Sequence, residues 1–167
     1  MTNHAIQMYD YHVWAMKTII NRLKELPQAV YTQDIQSVFS SLAKALSHIY
    51  VVDCGWLAML SGHSMSEAMS HAQPMQQEME ALSLTELESK FLNLFEDFKS
   101  FLHRQENLEA LITLDNPYAG VRETSLAEMV LQVVNHGTYH RGNITAMLRQ
   151  IGIPSVMTEY ALYWYSE

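Results

Sequence analysis

Apolar residues recur at alternating three- and four-residue steps along most of this chain, the spacing that gathers them on one face of an α-helix. Four long segments show the pattern. They are predicted to be helices at about Thr2–Glu25, Val38–Leu60, Ser83–Leu102 and Ser125–Ile151. The ends agree with this reading, because Ser followed three residues later by Glu opens the last two, and Pro27 and Gly152 follow the first and the last.

The segments between these helices predict one long crossing and one hairpin. Ser61–Ser83 is loop-like and long enough to run the length of a bundle, so the helices beside it are predicted to be parallel, with a short helix near Met75–Leu82. Leu111–Leu114 and Val121–Thr124 flank a turn-forming stretch and predict a short β-hairpin before the last helix. The whole chain, 1–167, is therefore predicted to be a single all-α domain with the architecture of a four-helix bundle.

Two of the eight histidines, His136 and His140, stand one turn apart on the inner side of the last predicted helix. Side chains at i and i+4 are separated by about 6 Å along the helix axis and about 40° around it, so both imidazoles can reach one ion. The pair supplies only half of a metal site, and a histidine hydrogen-bonded inside a core is the commoner reading of such a residue. His48 lies at the margin of the core face of the second helix.

Other polar residues are interpreted from their helical faces. Asp53 is turned towards the core, where a carboxylate needs a partner or becomes neutral. His12 is predicted to be partly exposed, and Cys54 faces away from His48 as a small packing residue. Gly137 costs about 1 kcal/mol against alanine in mid-helix, so it is predicted to admit a neighbouring backbone or a bound group. Three further histidines are predicted to be exposed: His63, His71 and His103.

Composition and charge limit the classes of function that this chain can have. The formal net charge is −8 and no Lys/Arg cluster is present, which argues against nucleic-acid binding. With no apolar run that could span a bilayer, no signal sequence and a single cysteine, a cytoplasmic protein is expected, with no membrane partner. Only 17% of the residues are charged, so a homodimer is expected to cover part of the surface. The aromatic tail Tyr160–Tyr165 should pack on the bundle or on a partner chain.

Three motifs together resemble the DinB/YfiT-like family. The run Thr124–Gly152, which contains both histidines of the pair, resembles the end of these proteins. Leu46–Ile49, with Asp53 and Trp56–Leu57 after it, resembles their second-helix motif, and Tyr9–Ala15 resembles their first helix. The resemblance covers nearly the whole chain, in the right order and spacing.

The resemblance implies an up-down-down-up bundle, commonly homodimeric, with one divalent ion, often nickel or zinc, bound by His48, His136 and His140. Three ligands leave a coordination position open, as in catalytic sites. The family includes transferases and isomerases that use low-molecular-weight thiols such as bacillithiol, mycothiol or glutathione, so a thiol S-transferase with a metal-activated thiolate is expected. A metal-dependent hydrolase using metal-bound water and a non-catalytic metal-binding bundle are the alternatives.

The chain also departs from the family pattern. Asn143 stands where a glutamine is usual, Tyr139 where a second adjacent histidine is frequent, and Met16 where an asparagine is frequent. Asn143 lies on the histidine face of its helix, and Asn143 and Asp53 are the candidates for residues that support the metal ligands. These differences predict a pocket that is less polar than usual.

Overall fold

Helices dominate the computed structural model, which describes residues 4–166. The helices are α1 (His4–Lys24), α2 (Gln28–Thr32), α3 (Leu42–Leu60), α4 (Met65–Glu80), α5 (Leu84–His103), α6 (Leu126–Gln150) and α7 (Tyr160–Tyr163), and the strands are β1 (Leu111–Asn116) and β2 (Gly120–Ser125). The helix start predicted at Thr2 or Asn3 lies outside the described residues. The prediction of a mostly helical protein is confirmed, and the two strands make the all-α class an approximation.

The four long helices α1, α3, α5 and α6 pack against one another around a shared core. Each contributes side chains without exposed surface, among them Tyr9, Ile49, Phe91 and Val133. Phe98 of α5 stacks on Tyr9 of α1 with ring centroids 4.2 Å apart. The three- and four-residue apolar spacing therefore does identify the inner faces of these helices.

The connection between α3 and α5 differs from its prediction. In place of a short helix near Met75–Leu82 it holds α4, which begins after a capping box formed by Ser64 and Glu67 and contains Pro74. A proline inside a helix leaves one carbonyl group without its donor. Here that carbonyl belongs to the exposed Ser70, where water can replace the missing donor. The helix therefore continues through a residue that the sequence pattern treats as a break.

The start of α3 also differs from its prediction. The helix begins at Leu42 and not at Val38, because the side chain of Ser41 accepts a hydrogen bond of 3.2 Å from the backbone N–H of Lys44. Residues 33–41 are therefore free to lie across the beginning of α3. That path matters for the site, since it contains Phe39.

The predicted hairpin is present and fixes the start of α6. β1 and β2 pair antiparallel, with Leu111 opposite Ser125 and Asn116 opposite Gly120. Ser125 ends β2 and caps α6, exchanging hydrogen bonds with Glu128 in the predicted capping box. The strand thus leads directly into the helix that carries the histidine pair.

The aromatic tail packs partly on α1. Tyr11 donates a hydrogen bond of 2.7 Å to the carbonyl oxygen of Thr158, and its ring meets that of Tyr160 edge-on at 5.1 Å. Trp164 and Tyr165 remain exposed. No helix within residues 4–166 is long and apolar enough to cross a membrane.

Candidate metal centre

Three histidines from two helices converge where α3 meets α6. His48 Nε2 lies 3.2 Å from His136 Nε2, and one ring nitrogen of each of His48, His136 and His140 lies within 4.8 Å of the others. Within residues 4–166 this is the one group of three or more His, Cys, Asp or Glu side chains close enough to share an ion. The structure thus brings together the three residues that the family resemblance selects.

The spacing fits an ion bound by imidazole. Two nitrogens each 2.0–2.1 Å from a tetrahedral ion are about 3.3 Å apart. The measured separation of 3.2 Å between His48 and His136 agrees with this value. Because a third imidazole lies within the same small volume, the donor set suits a borderline metal such as zinc or nickel.

All three imidazoles are held in the form that binds metal. Burial, together with repulsion from His140 and His48, lowers the pKa of His136 to about 3. Burial, followed by repulsion from His140, lowers the pKa of His48, and burial lowers that of His140. A neutral imidazole offers a lone pair to a metal ion, so the surroundings favour a metal over a proton at this site.

Asn143 orients one member of the triad. Its Oδ1 lies 3.0 Å from Nδ1 of His140, one turn back along α6. An amide oxygen only accepts, so Nδ1 carries the hydrogen and Nε2 keeps the free lone pair. This is the usual arrangement behind a metal-bound histidine, whose second ring nitrogen donates to a fixed acceptor.

Two aromatic rings border the triad. Phe39, from the segment before α3, has its ring centroid 5.4 Å from those of both His48 and His140. Tyr139 meets His140 edge-on at 5.0 Å and is 67% exposed. Sequence reasoning missed Phe39, because the predicted second helix begins at Val38 and includes it, whereas the observed helix begins at Leu42.

A buried polar network lies beside the triad, and it corrects the prediction for His12. That residue is fully buried, not partly exposed. Its Nε2 lies 2.9 Å from Oδ2 of Asp53, which is also fully buried, and Nη1 of Arg141 lies 3.1 Å from its Nδ1. His12 is thus the hydrogen-bond partner that a buried carboxylate at Asp53 was predicted to need. A Cβ on Gly137 would collide with the His12 ring, so a side chain occupies the space predicted there for a backbone or bound group.

A cleft of about 630 Å³ opens between the hairpin, α3 and α6. It is lined in part by Trp56, Arg122, Gln132 and Asn135. Asn135 precedes His136 in the chain and Gln132 lies one turn before it, so the cleft begins about one turn of α6 from the triad. Its volume is in the range of small-molecule sites.

A sequence model of the DinB family matches residues 1–167. The chain belongs to the DinB family. It is also similar to the protein named DinB from Bacillus subtilis (strain 168), with 46% identity over 165 residues that make up 99% of this chain and 96% of the relative. The family assignment confirms the resemblance seen in the three sequence motifs.

Two of this chain's departures from the family pattern touch the triad. Asn143, in place of glutamine, contacts His140. Tyr139, in place of a histidine, presents an aromatic ring at the edge of the site. Met16, the third departure, is fully buried in the core.

The other histidines and the cysteine of this chain that the sequence analysis considered lie outside the site. His63, His71 and His103 are exposed, as predicted. Burial raises the pKa of the Cys54 thiol to about 12, and its hydrogen-bond partner is Tyr50. A thiol that remains protonated at neutral pH is a packing residue and not a nucleophile.

Proposed function

We propose that this DinB-family protein is a divalent-metal-dependent S-transferase that joins a low-molecular-weight thiol, such as bacillithiol, to an electrophilic substrate. The observation that carries the proposal is the convergence of three neutral imidazoles, at His48, His136 and His140, beside an exposed aromatic edge. Three protein ligands leave room for an exchangeable one, which distinguishes a reactive site from a structural site.

Nickel and zinc are the proposed ions, because imidazole nitrogen suits both. When bound, such an ion would supply a positive charge that keeps a thiol deprotonated at neutral pH. In the transfer, a sulfur–carbon bond forms, the leaving group departs with its electron pair, and the thiol proton passes to solvent.

The residues around the triad have separate roles in this proposal. Asn143 keeps the His140 ring in one orientation through the hydrogen bond to Nδ1. Phe39 and Tyr139 provide an apolar wall for the electrophile. The cleft with Arg122 and Asn135 would hold the polar part of the thiol, since amide and guanidinium groups recognise carboxylates and hydroxyls.

Metal-dependent hydrolysis has weaker support. The carboxylate that could have served as a general base is Asp53, which has no exposed surface and is hydrogen-bonded to His12. A general base must reach the proton that it removes, directly or through one water. Thiol transfer does not need such a base once the thiol is ionised, so the burial of Asp53 favours it.

The first experiment measures metal content and thiol transfer together. The purified protein would be analysed for bound metal and then assayed with bacillithiol, glutathione and cysteine against a chromogenic haloarene. We expect about one divalent ion per chain and metal-dependent loss of halide. His140→Ala should lose both the ion and the activity, because two imidazoles cannot maintain the geometry.

The matched control is His103→Ala, which removes an exposed histidine from α5 and should leave both readouts unchanged. Metal binding by the His140→Ala protein at the parent's affinity would show that the site is assigned wrongly. Metal binding by the parent without transfer from any thiol would favour the non-catalytic metal-binding bundle. Metal-dependent ester hydrolysis in its place would favour the hydrolase.

The proposal includes an up-down-down-up order of the four long helices. As residue numbers rise along α1, the residues that it meets in α5 fall in number, which supports an antiparallel pair. Residue numbers rise together between α1 and α6 and between α3 and α5, which supports two parallel pairs. The residue pairs are Asp10–Lys99 with Lys24–Glu88, then His12–Arg141 with Arg22–Pro154, where Pro154 follows the end of α6, and last Tyr50–Phe91 with the electrostatic interaction between Cys54 and Asp97. Parallel α3 and α5 require the long crossing that contains α4.

We also propose that the protein is a homodimer. Large apolar side chains remain exposed near the end of the described chain: Met157, Leu162, Trp164 and Tyr165. Such a cluster is unusual on a monomer surface, because contiguous apolar patches tend to mark interaction sites. A second copy of this chain would cover it.

A further inference from the structure

The buried network joins three helices through three side chains that have almost no exposed surface. His12 of α1 and Asp53 of α3 are 0% exposed, and Arg141 of α6 is 1% exposed. Arg141 donates to Nδ1 of His12 over 3.1 Å, and its Nη2 donates to the hydroxyl groups of Thr138 and Tyr11 over 2.8 and 3.2 Å. On the far side of its ring, His12 meets Asp53 over 2.9 Å.

The donors and acceptors in this network have only one consistent assignment. A guanidinium group only donates, so Nδ1 of His12 must be the acceptor. The hydrogen of His12 therefore sits on Nε2 and is donated to the carboxylate of Asp53. A neutral imidazole thus lies between one buried positive charge and one buried negative charge, and the three helices are linked in a fixed order: α6, α1, α3.

The network lies on the helix faces next to those of the triad. Gly137, which packs on the His12 ring, follows His136, and Arg141 follows His140, so on α6 the network is about 100° from the histidines. On α3, Asp53 comes five positions after His48, which is about 140° around the helix. Contacts on these faces resist rotation of either helix about its own axis.

Small rotations matter at this site. A side-chain atom about 6 Å from the helix axis moves about 2 Å when the helix turns by about 20°. Metal–ligand distances tolerate only about 0.2 Å. The hydrogen bonds of the buried network are directional, so they add an orientational restraint to the apolar packing of these helices.

We propose that Arg141, His12 and Asp53 are positioning residues that set the rotation of α6 and α3 and so make His48, His136 and His140 converge. This inference rests on the proposed metal site. Asp53 then acts on the ion without contacting it, through His12, Arg141 and the helix that carries two ligands.

Two conservative variants test the proposal. Asp53→Asn keeps the shape and removes the negative charge, whereas Arg141→Lys keeps the charge but loses the fork that holds three partners at once. Leu102→Ala is the matched control, because Leu102 is fully buried in α5, away from the α3–α6 contact, so its loss lowers stability without touching the network. If the Asp53→Asn protein does not fold, the Arg141→Lys protein tests the proposal by itself.

Three readouts separate positioning from general stability: nickel affinity by calorimetry, the visible spectrum of the cobalt(II)-substituted protein, and nuclear Overhauser contacts between the His48 and His140 rings without metal. The ring centroids of that pair are 4.6 Å apart. We expect each network variant to lose at least tenfold in affinity, to shift the cobalt bands and to weaken the ring contact. Leu102→Ala should lose stability and keep all three.

Network variants with the parent's affinity, spectrum and ring contact would overturn the inference, and so would a Leu102→Ala protein that loses all three to the same degree. A parent that binds no ion would refute the proposed function instead. In that case the ring contact in the metal-free proteins still decides whether the network positions the histidines.

Discussion

Replacing Gly137 with alanine should destabilise the protein, although alanine is the better helix former. The added methyl group would collide with the His12 ring and lie 2.9 Å from Nη1 of Arg141. Neither neighbour can simply swing away, because both are fully buried and His12 is hydrogen-bonded at both ring nitrogens. The substitution must therefore move a buried group that is held in place.

The magnitude follows from three opposing effects. Alanine gains about 1 kcal/mol over glycine in a helix interior. Overpacking a filled core costs about 1–3 kcal/mol. Displacing His12 from Asp53 leaves a buried carboxylate without its partner, and breaking such a buried pair costs about 3–5 kcal/mol. The Cβ would be too close for the His12 ring to stay in place, and moving the ring relieves the overpacking. The cost of the lost pair, less the gain in helix propensity, then gives a net loss of about 2–4 kcal/mol.

Urea unfolding with chelator present, at one protein concentration, measures this loss without a contribution from metal and with the contribution of assembly held constant. Gly142→Ala is the control in the same helix, since a Cβ there would meet no atom of the described residues within 4 Å. That variant should be more stable than the parent by up to about 1 kcal/mol. A Gly137→Ala protein as stable as the parent would refute the reasoning about His12.

Three further predictions concern the triad and the assembly. Asn143→Ala should weaken nickel binding by about 10–100-fold in calorimetry, because His140 loses the acceptor that orients it. Asn143→Ser keeps an acceptor on a shorter side chain and should lose less nickel affinity. With chelator present, the urea midpoint should fall as the pH drops from about 6.5 towards 3. The reason is that the pKa of His136 is lowered from 6.5 to about 3 in the folded protein, so the unfolded chain binds more protons in this range. A urea midpoint that does not change with pH would contradict this prediction. Light scattering should give twice the chain mass of 19.2 kDa at micromolar concentration, and a monomer mass would count against the homodimer.

The histidines of the candidate metal centre could be found from the sequence because the relation between two of them is local. His136 and His140 share a helical face by spacing alone, and that face is the buried one because the apolar stripe continues through it. His48 needed the family resemblance, since periodicity places it on the margin of α3 without indicating which helix it meets. The structure supplies that missing relation as a distance of 3.2 Å to His136.

Features that depend on exceptions to local rules could not be found in this way. Pro74 predicts a break, yet α4 continues through it, and the carbonyl that loses its helical donor belongs to the exposed Ser70. Phe39 was placed in the predicted second helix, whereas Ser41 caps α3 only after it and leaves the ring in a connecting segment. Its position beside His48 and His140 then depends on the path of that segment, which has no repeating pattern.

His12 shows that a residue at the edge of a helix's apolar stripe can be buried when other parts of the chain cover the helix on more than one side. Tyr11, His12 and Val13 are three consecutive buried residues, and they span about 200° of α1. An amphipathic surface helix buries a stripe of roughly 100°, and a residue at the edge of such a stripe, as predicted for His12, is partly exposed. The extra arc is covered by the tail, which Tyr11 binds through the carbonyl oxygen of Thr158. Once both sides of α1 are covered, a polar residue on its margin has no access to water. It must then find partners inside the protein, and His12 finds them in Asp53 and Arg141.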